Sequence, residues 1–413
     1  MTEPFRFLHL ADLHLDTAFT GRTQEVREAL RRAVREAFVA AVTTALERRA
    51  HAVLLAGDVF DGDLLTFATE RFLLDGCRRL QEAGITVVYC TGNHDPGGAN
   101  QRVRALNWPD NVYLAHSAKP RVIDIPGGDG EVVGRVVAAG HVKAREERNL
   151  ASNFPAMDGD VPTVGLLHTQ VVGADAADSH DEYAPSERAD YEKPGYAYWA
   201  LGHIHKRQQV FPDLPVHYPG NMQGRHFREP GTKGGNWVEI PPFGLADVQF
   251  VPLAPLEWQW VSVDSPAGEN LDSLAAELAA AAPPAQGPQR LVRFDLTGTS
   301  PRAADLRDGD NRAELESALA DRLDALEVEV RADGLHRPVD RSELRAAPSA
   351  LATALELIEQ AATDDAALDA LVPATLTPAA PEDPDERRAY LRSLLQGAEA
   401  ELVDRMVDPE AGE

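Results

Sequence analysis

The sequence predicts an α/β fold: a two-sheet β-sandwich flanked by helices, with a small α+β cap domain and a helical C-terminal tail. Three observations predict it. Short apolar runs alternate with amphipathic stretches over the first ninety residues in β-α-β-α-β order, which builds a parallel sheet. Further strands follow between residues 132 and 263 without helices between them, enough for a second sheet packed on the first. From about Ser265 the texture changes to alternating short helices and strands, and then to helix alone.

Residues 5–11 read as the first strand. Residues 23–49 follow as a long amphipathic helix, with Val26, Leu30, Val34, Phe38, Val42 and Leu46 recurring at intervals of four. Residues 52–56, 66–83 and 85–90 give strand, helix and strand. Strands continue at 132–139, 161–167, 196–201, 216–218, 237–240 and 248–263. Trp199 reads as core, and Trp258 and Trp260 alternate along a strand, so they share a face and are expected in the core too. Cys90 ends an apolar strand and reads as buried packing. The cap is outlined by a helix at 271–281, a strand at 290–296, a helix at 312–326 and a strand at 327–332. Residues 349–362 are helical. A connector punctuated by Pro373, Pro378, Pro381 and Pro384 cannot continue a helix or fill a sheet. The tail, 385–407, carries Leu391, Leu395, Ala398, Leu402 and Met406 on one stripe, which suits docking to a partner or packing on the chain's own body. The expected domains are 1–263, 264–345 and 346–413, with no internal repeat.

Composition closes off several classes. With 44% hydrophobic and 26% charged residues, wholesale disorder is excluded. No run of 18 apolar residues predicts a transmembrane helix, and the start MTEPFRFLHLADLH lacks the n- and h-regions of a signal peptide, so a cytoplasmic location is expected. Two cysteines make neither a disulfide scaffold nor a thiolate metal site. The net charge of −26 argues at first sight against nucleic acid, whose backbone attracts positive charge. Residues 264–413, however, hold 32 acidic residues against 14 arginines, or −18, leaving −8 for residues 1–263. Twelve of the thirteen histidines also lie in that first part, so the chemistry is expected there.

Five short segments stand at the ends of the predicted strands, where ligands of open α/β sheets sit. They are Asp12-Leu13-His14, Gly57-Asp58-Val59-Phe60-Asp61, Gly92-Asn93-His94-Asp95, His168 and Gly202-His203-Ile204-His205. Each offers oxygen or imidazole ligands and no sulfur. Alone each is weak: a GD pair at a strand end is more often a turn, and strand alternation sends the two histidines of HxH to opposite faces. As a set in this order they are highly specific.

The set resembles the calcineurin-like metallophosphoesterases, whose pattern is DxH, GDxxD, GNH(D/E), H and GHxH. The resemblance implies that family's sandwich fold and two divalent ions, manganese being the usual one. One ion would be held by Asp12, His14, Asp58 and His205. The second would be held by Asp58, Asn93, His168 and His203, with Asp58 bridging. Two cations ~4 Å apart can clamp the attacking and leaving oxygens of a phosphoryl displacement and make hydroxide available at neutral pH. The all-N/O ligand set suits Mn, Fe or Zn alike. His94 resembles the family's proton donor to the leaving oxygen, and Asp61 the carboxylate that orients it. Asp95 is a ligand by type, but its family counterpart supports the loop.

Gly62 stands where protein phosphatases of this superfamily have arginine, and Asp95 where they have glutamate. Instead HLADLHLD, GDVFD, TGNHD, LLHTQ and ALGHIHKRQ resemble the SbcD-type DNA repair exonucleases, and YPGNMQGRHFREPGTKGG the YhaO-like branch of that group. The group's commoner version of this last stretch has a small residue and proline where Asn221 and Met222 stand. This resemblance implies 3′→5′ exonuclease action on double-stranded DNA, endonuclease action on single strands, and an SbcC-like coiled-coil ATPase partner. DNA contact would fall to Lys206, Arg207, Arg225 and Arg228, with His226 and Lys233 nearby. His217 has no motif that makes it a ligand. The long amphipathic helices offer surfaces for a homodimer. The alternatives are a phosphoesterase acting on nucleotides or phosphoproteins, and a non-catalytic DNA-binding subunit. Two bound dications would bring the −8 of the first part to about −4, so the acidity weighs against DNA contact mainly in the C-terminal third.

Overall fold

The computed structural model describes residues 3–61, 65–99, 101–159, 161–175, 183–193, 195–242, 244–287, 289–338, 349–371, 383–395 and 398–407. Pro373, Pro378, Pro381, Gly62 and the expected boundary at 345/346 lie outside the described residues. The chain divides into two compact units, residues 1–260 with 284–291, and residues 261–283 with 292–413.

The first unit begins with β1 (Phe5–Leu10), α1 (Gln24–Glu47), β2 (Ala52–Ala56), α2 (Phe67–Glu82) and β3 (Thr86–Cys90). Then come α3 (Arg102–Ala105), β4 (Val112–Ala115), β5 (Arg121–Pro126), β6 (Val132–Ala138), β7 (Thr163–His168) and α4 (Arg188–Tyr191). β8 (Tyr196–Gly202), β9 (Gln208–Gln209), β10 (Val216–Tyr218), β11 (Gly234–Ile240) and β12 (Asp247–Pro252) complete it, followed by the start of β13 (Leu256–Asp264). Thr23 caps α1 by accepting from the Val26 amide, and Thr66 caps α2 by accepting from that of Thr69. The buried face of α1 is the spaced set Val26, Leu30, Val34, Phe38 and Val42, with alanines between.

Two six-stranded sheets result, ordered β12-β11-β1-β2-β3-β4 and β5-β6-β7-β8-β10-β9. β1 to β4 run parallel, as do β6, β7, β8 and β10, and antiparallel strands finish the edges. The central strands are buried throughout, as parallel strands covered on both faces must be. Phe5, Phe7, Leu54, Val88, Val136, Leu166, Tyr198 and Val238 from both sheets form one core cluster, which makes the pair a sandwich. Parallel order brings the C-terminal ends of β1, β2 and β3 to one edge, and those of β7 and β8 likewise.

β4 and β5 were not foreseen. β4 has only four residues, and β5 alternates exposed and buried positions at a sheet edge, so neither makes the apolar run expected of a core strand. The single strand expected at 248–263 is two, β12 and β13, divided around Pro252 and Pro255. Trp199 and Cys90 are fully buried. Trp258 is buried beneath Phe227, with its indole N–H donating to the Gly224 carbonyl, but Trp260 is 44% exposed. Sharing a face did not bury both, because Trp260 lies past the loop that covers Trp258.

The second unit holds α5 (Leu271–Ala281), β14 (Gln289–Thr299), α6 (Gly309–Leu323) and β15 (Glu327–His336), with the sheet order β13-β14-β15. Leu274, Leu278, Val292, Phe294, Leu315, Leu319 and Val330 form its core. Helices Ala350–Thr363, Asp365–Leu371, Pro384–Leu395 and Ala398–Val407 follow, with Pro384 at the first helical position, where its missing N–H costs nothing. Of the tail stripe, Leu391 packs with Ala361 and Leu368, and Leu402 with Leu351, Leu355 and Val403, while Met406 is exposed. Among the described residues no helix is long and apolar enough to cross a membrane.

Candidate metal centre

The loops after β1 and β2 run side by side. The Asp12, His14 and Leu15 amides donate to the carbonyls of Gly57, Asp58 and Val59 at 3.2, 3.0 and 2.9 Å. This ladder brings Asp12 and His14 against Asp58 and Asp61. The third loop is tied in by Asp95, whose carboxylate accepts from the amides of Asp58, Val59 and Gly92 and from the Tyr89 hydroxyl. Asp95 is therefore a brace, consistent with a loop-supporting role. The His94 amide donates to Asp58 Oδ1 at 2.9 Å, and the His203 amide to both Asp12 oxygens, at 3.2 and 3.1 Å.

Holding the side chains inward demands unusual backbone. Asp12, His14, Asp58 and His203 all have positive φ, at 52, 47, 51 and 110°. Such conformations cost on the order of 1 kcal/mol or more each and persist only where the surroundings fix them. Gly57, at φ 84°, is in the same region, and a Cβ there would overlap the His168 ring.

Three imidazoles have their tautomers set by acceptors. His14 Nδ1 lies 2.5 Å from Asp61 Oδ1, His168 Nδ1 2.8 Å from the Ala56 carbonyl, and His205 Nδ1 2.6 Å from Glu229 Oε1. Each Nδ1 thus carries the proton, leaving Nε2 as the lone-pair nitrogen. Those Nε2 atoms converge on the carboxylates. His14 Nε2 and His205 Nε2 are 3.3 Å apart, His205 Nε2 is 3.8 Å from Asp12 Oδ1, and His168 Nε2 lies 3.4 Å from Asp58 Oδ2 and 2.9 Å from Asn93 Oδ1. The His203 ring stands beside His168, centroids 5.2 Å apart, and beside Tyr183 at 5.8 Å.

Electrostatics point the same way. Burial, and then its charge neighbour Asp58, drive the Asp12 carboxyl well above the ordinary range, and burial raises Asp58 to about 7. Burial also pushes His14 and His168 well below the usual imidazole range, so both are neutral. Two buried carboxylates that repel, faced by neutral imidazole lone pairs, form a donor set that fits divalent cations. Asp12, His14 and His205 can share one cation by proximity, as can Asp12, Asp58 and His168.

At the mouth, His94 Nδ1 is 3.1 Å from Asp61 Oδ1, and its ring packs edge-on against His14. The hydrogen bond to Asp61 raises the His94 pKa. Burial alone would raise Asp61 itself, but hydrogen bonds from His14 and His94 hold it far below the carboxylate range. Of the basic residues singled out in the sequence, Arg225 reaches the site, its guanidinium 3.1 Å from His205 Nδ1. Lys206 is engaged by Asp175, and Arg207 by the Asn236 amide oxygen and the Phe250 ring. Arg228 is exposed, and Lys233 Nζ donates to the His205 carbonyl at 3.2 Å. His217 is buried, stacked on Tyr198.

Glu229 and Asn221 were missed as parts of the site. Both are buried, and no recognisable motif marks them in the Gly-rich stretch. The one signal was Asn221 standing where the group usually has a small residue.

Residues 5–207 match the calcineurin-like phosphoesterase family. The chain is also 33% identical over 312 residues to the uncharacterized metallophosphoesterase YhaO of Bacillus subtilis, covering 73% of this chain and 74% of that protein. The chain belongs to the calcineurin-like phosphoesterases. This family member is less similar to the DNA double-strand break repair protein Mre11 of Aeropyrum pernix, at 29% over 243 residues, 55% of this chain and 56% of that one. To the SbcD component of the SbcCD nuclease of Escherichia coli it is 27% identical over 281 residues, 60% of this chain and 67% of that one. Membership makes it a metal-dependent phosphoesterase with a site for divalent ions.

Proposed function

We propose that this phosphoesterase is a two-metal DNA nuclease of the SbcD type, a 3′→5′ exonuclease on duplex ends with endonuclease action on single strands. The observation that carries the reading is the convergence of His14, His168 and His205 Nε2 on the buried Asp12 and Asp58. Asp12, His14, Asp58 and His205 would hold one ion, and Asp58, Asn93, His168 and His203 the other, with manganese the expected metal. The ions would supply positive charge to the displacement at phosphorus and activate water for it. The chain's own residues do the rest. His94, 44% exposed at the mouth, holds a proton for the leaving oxygen, with Asp61 fixing its ring. Arg225 offers a cation to the substrate phosphate. Similarity to Mre11 and to the SbcD component of SbcCD supports DNA as substrate and a coiled-coil ATPase as partner. Residues 1–263 would carry the chemistry, 264–345 cap it, and 346–413 serve the partner.

The test is a blunt duplex labelled at its 3′ end, incubated with the full chain and Mn²⁺. Release of labelled mononucleotides supports the reading. Turnover of generic nitrophenyl esters alone, with the duplex intact, overturns it.

A further inference from the structure

Glu229 is buried at 3% exposure, and every contact of its carboxylate is with the site's surroundings. Oε2 accepts from the Asn221 side-chain amide and from the Arg225 backbone, both at 2.7 Å. Oε1 accepts from His205 Nδ1 at 2.6 Å and faces Arg225 Nη2 at 3.5 Å and His226 Nε2 at 3.4 Å. Asn221 is itself held. Its backbone N–H donates to the His205 carbonyl at 3.3 Å, and its side chain also donates to the Gln223 carbonyl.

Arg225 Nη2 lies 3.1 Å from the same His205 Nδ1. A guanidinium only donates, whereas a carboxylate only accepts, so the two make opposite demands on that nitrogen. While Glu229 stands at 2.6 Å, the proton sits on Nδ1 and Nε2 keeps its lone pair. Without Glu229, Arg225 would be the nearest partner, would donate to Nδ1, and would move the proton to Nε2. That tautomer has no lone pair facing the cation site.

We propose that Glu229, clamped by Asn221, is a positioning residue that holds His205 in its metal-binding tautomer against the opposing pull of Arg225. It accounts for Asn221 standing where the wider group has a small residue. The effect on metal rests on the reading of His205 as a ligand, while the tautomer does not.

The test has two readouts. In the metal-free full chain, ¹⁵N-histidine NMR reports which His205 nitrogen is protonated. Mn²⁺ titration followed by electron paramagnetic resonance reports the affinity of each ion. Wild type is expected to show Nδ1–H. Glu229→Leu should show Nε2–H and bind one ion about 10–100-fold more weakly. Glu229→Gln, whose amide oxygen still accepts, should retain Nδ1–H, and it guards against a leucine variant that fails to fold. The double variant Glu229→Leu/Arg225→Leu should regain part of the affinity, which a purely structural role for Glu229 would not produce. Nε2–H in wild type, or Nδ1–H retained in Glu229→Leu, overturns the proposal. So does Nε2–H in Glu229→Gln. A wild type with the expected tautomer that binds no Mn²⁺ sinks the two-metal reading instead, leaving the tautomer result standing.

Discussion

Asp61 Oδ1 accepts a 2.5 Å hydrogen bond from His14 Nδ1, on the side of the ring opposite the nitrogen that faces His205. The same oxygen is 3.1 Å from His94, and the second accepts from the Thr17 hydroxyl at 2.8 Å. A residue expected from sequence to orient His94 alone thus braces a candidate metal ligand as well. The two candidate roles, proton donor and metal ligand, are mechanically joined through one carboxylate.

His94→Ala should therefore separate chemistry from binding. Removing a general acid costs ~10²–10⁴-fold in rate, and a loss of that size in kcat is expected while two ions remain bound. Asp61→Asn should lower both kcat and metal affinity, because His14 loses its anionic acceptor. Rate assays with metal counts by mass spectrometry check both. A fully active His94→Ala removes the assigned role.

The pH dependence of His94 has a definite sign. Its hydrogen bond to Asp61 raises its pKa above the ordinary 6.5, so the imidazolium persists to higher pH and is lost as pH rises through the raised value. Asp61→Asn removes the charge that raises it. NMR titration of the metal-free protein should show the His94 midpoint fall in that variant, and the alkaline limb of activity should move to lower pH. An unchanged midpoint contradicts the pairing.

Asp58→Asn should stabilise the metal-free protein. Burial raises the Asp58 pKa from 3.8 to about 7, so its contribution to stability is complete below the lower value and lost as pH rises through the upper one. The gain from asparagine is therefore expected to grow between about pH 5 and pH 8, roughly the window those two values define. With Mn²⁺ the order should reverse, since a ligand at a hundred times its Kd stabilises by about 2.7 kcal/mol and the variant forgoes it. Calorimetry in chelator and in Mn²⁺ at both pH values decides. A gain equal at both is the contrary result.

Gly202 is a steric requirement. A Cβ there would overlap the Ala56 carbonyl, the acceptor that fixes the His168 tautomer. Gly202→Ala should cost about 1–3 kcal/mol, the usual penalty for overpacking, and weaken metal binding. Urea denaturation measures it, and a variant as stable as wild type would refute the constraint.

Much of this was legible in the sequence because the central strands are parallel. Parallel strands buried on both faces read as unbroken apolar runs, and their C-terminal ends bring successive loops to a common edge. Asp12, His14, Asp58, His168 and His205 could thus be grouped from the sequence alone. Glu229 could not, because its role depends on a loop folding back on His205 from 24 residues away, with no periodicity to mark it. Neither could β5, an edge strand with alternate residues in solvent. Trp260 shows the same gap: period-two alternation assigns a face, but burial depends on what covers it.

The most direct test of the centre is a crystal of the protein soaked in Mn²⁺ and measured for anomalous scattering. Two peaks on either side of the Asp58 carboxylate are expected, one beside His14 and His205 and the other beside Asn93 and His168. A single peak, or none within reach of Asp58, would contradict the two-metal centre.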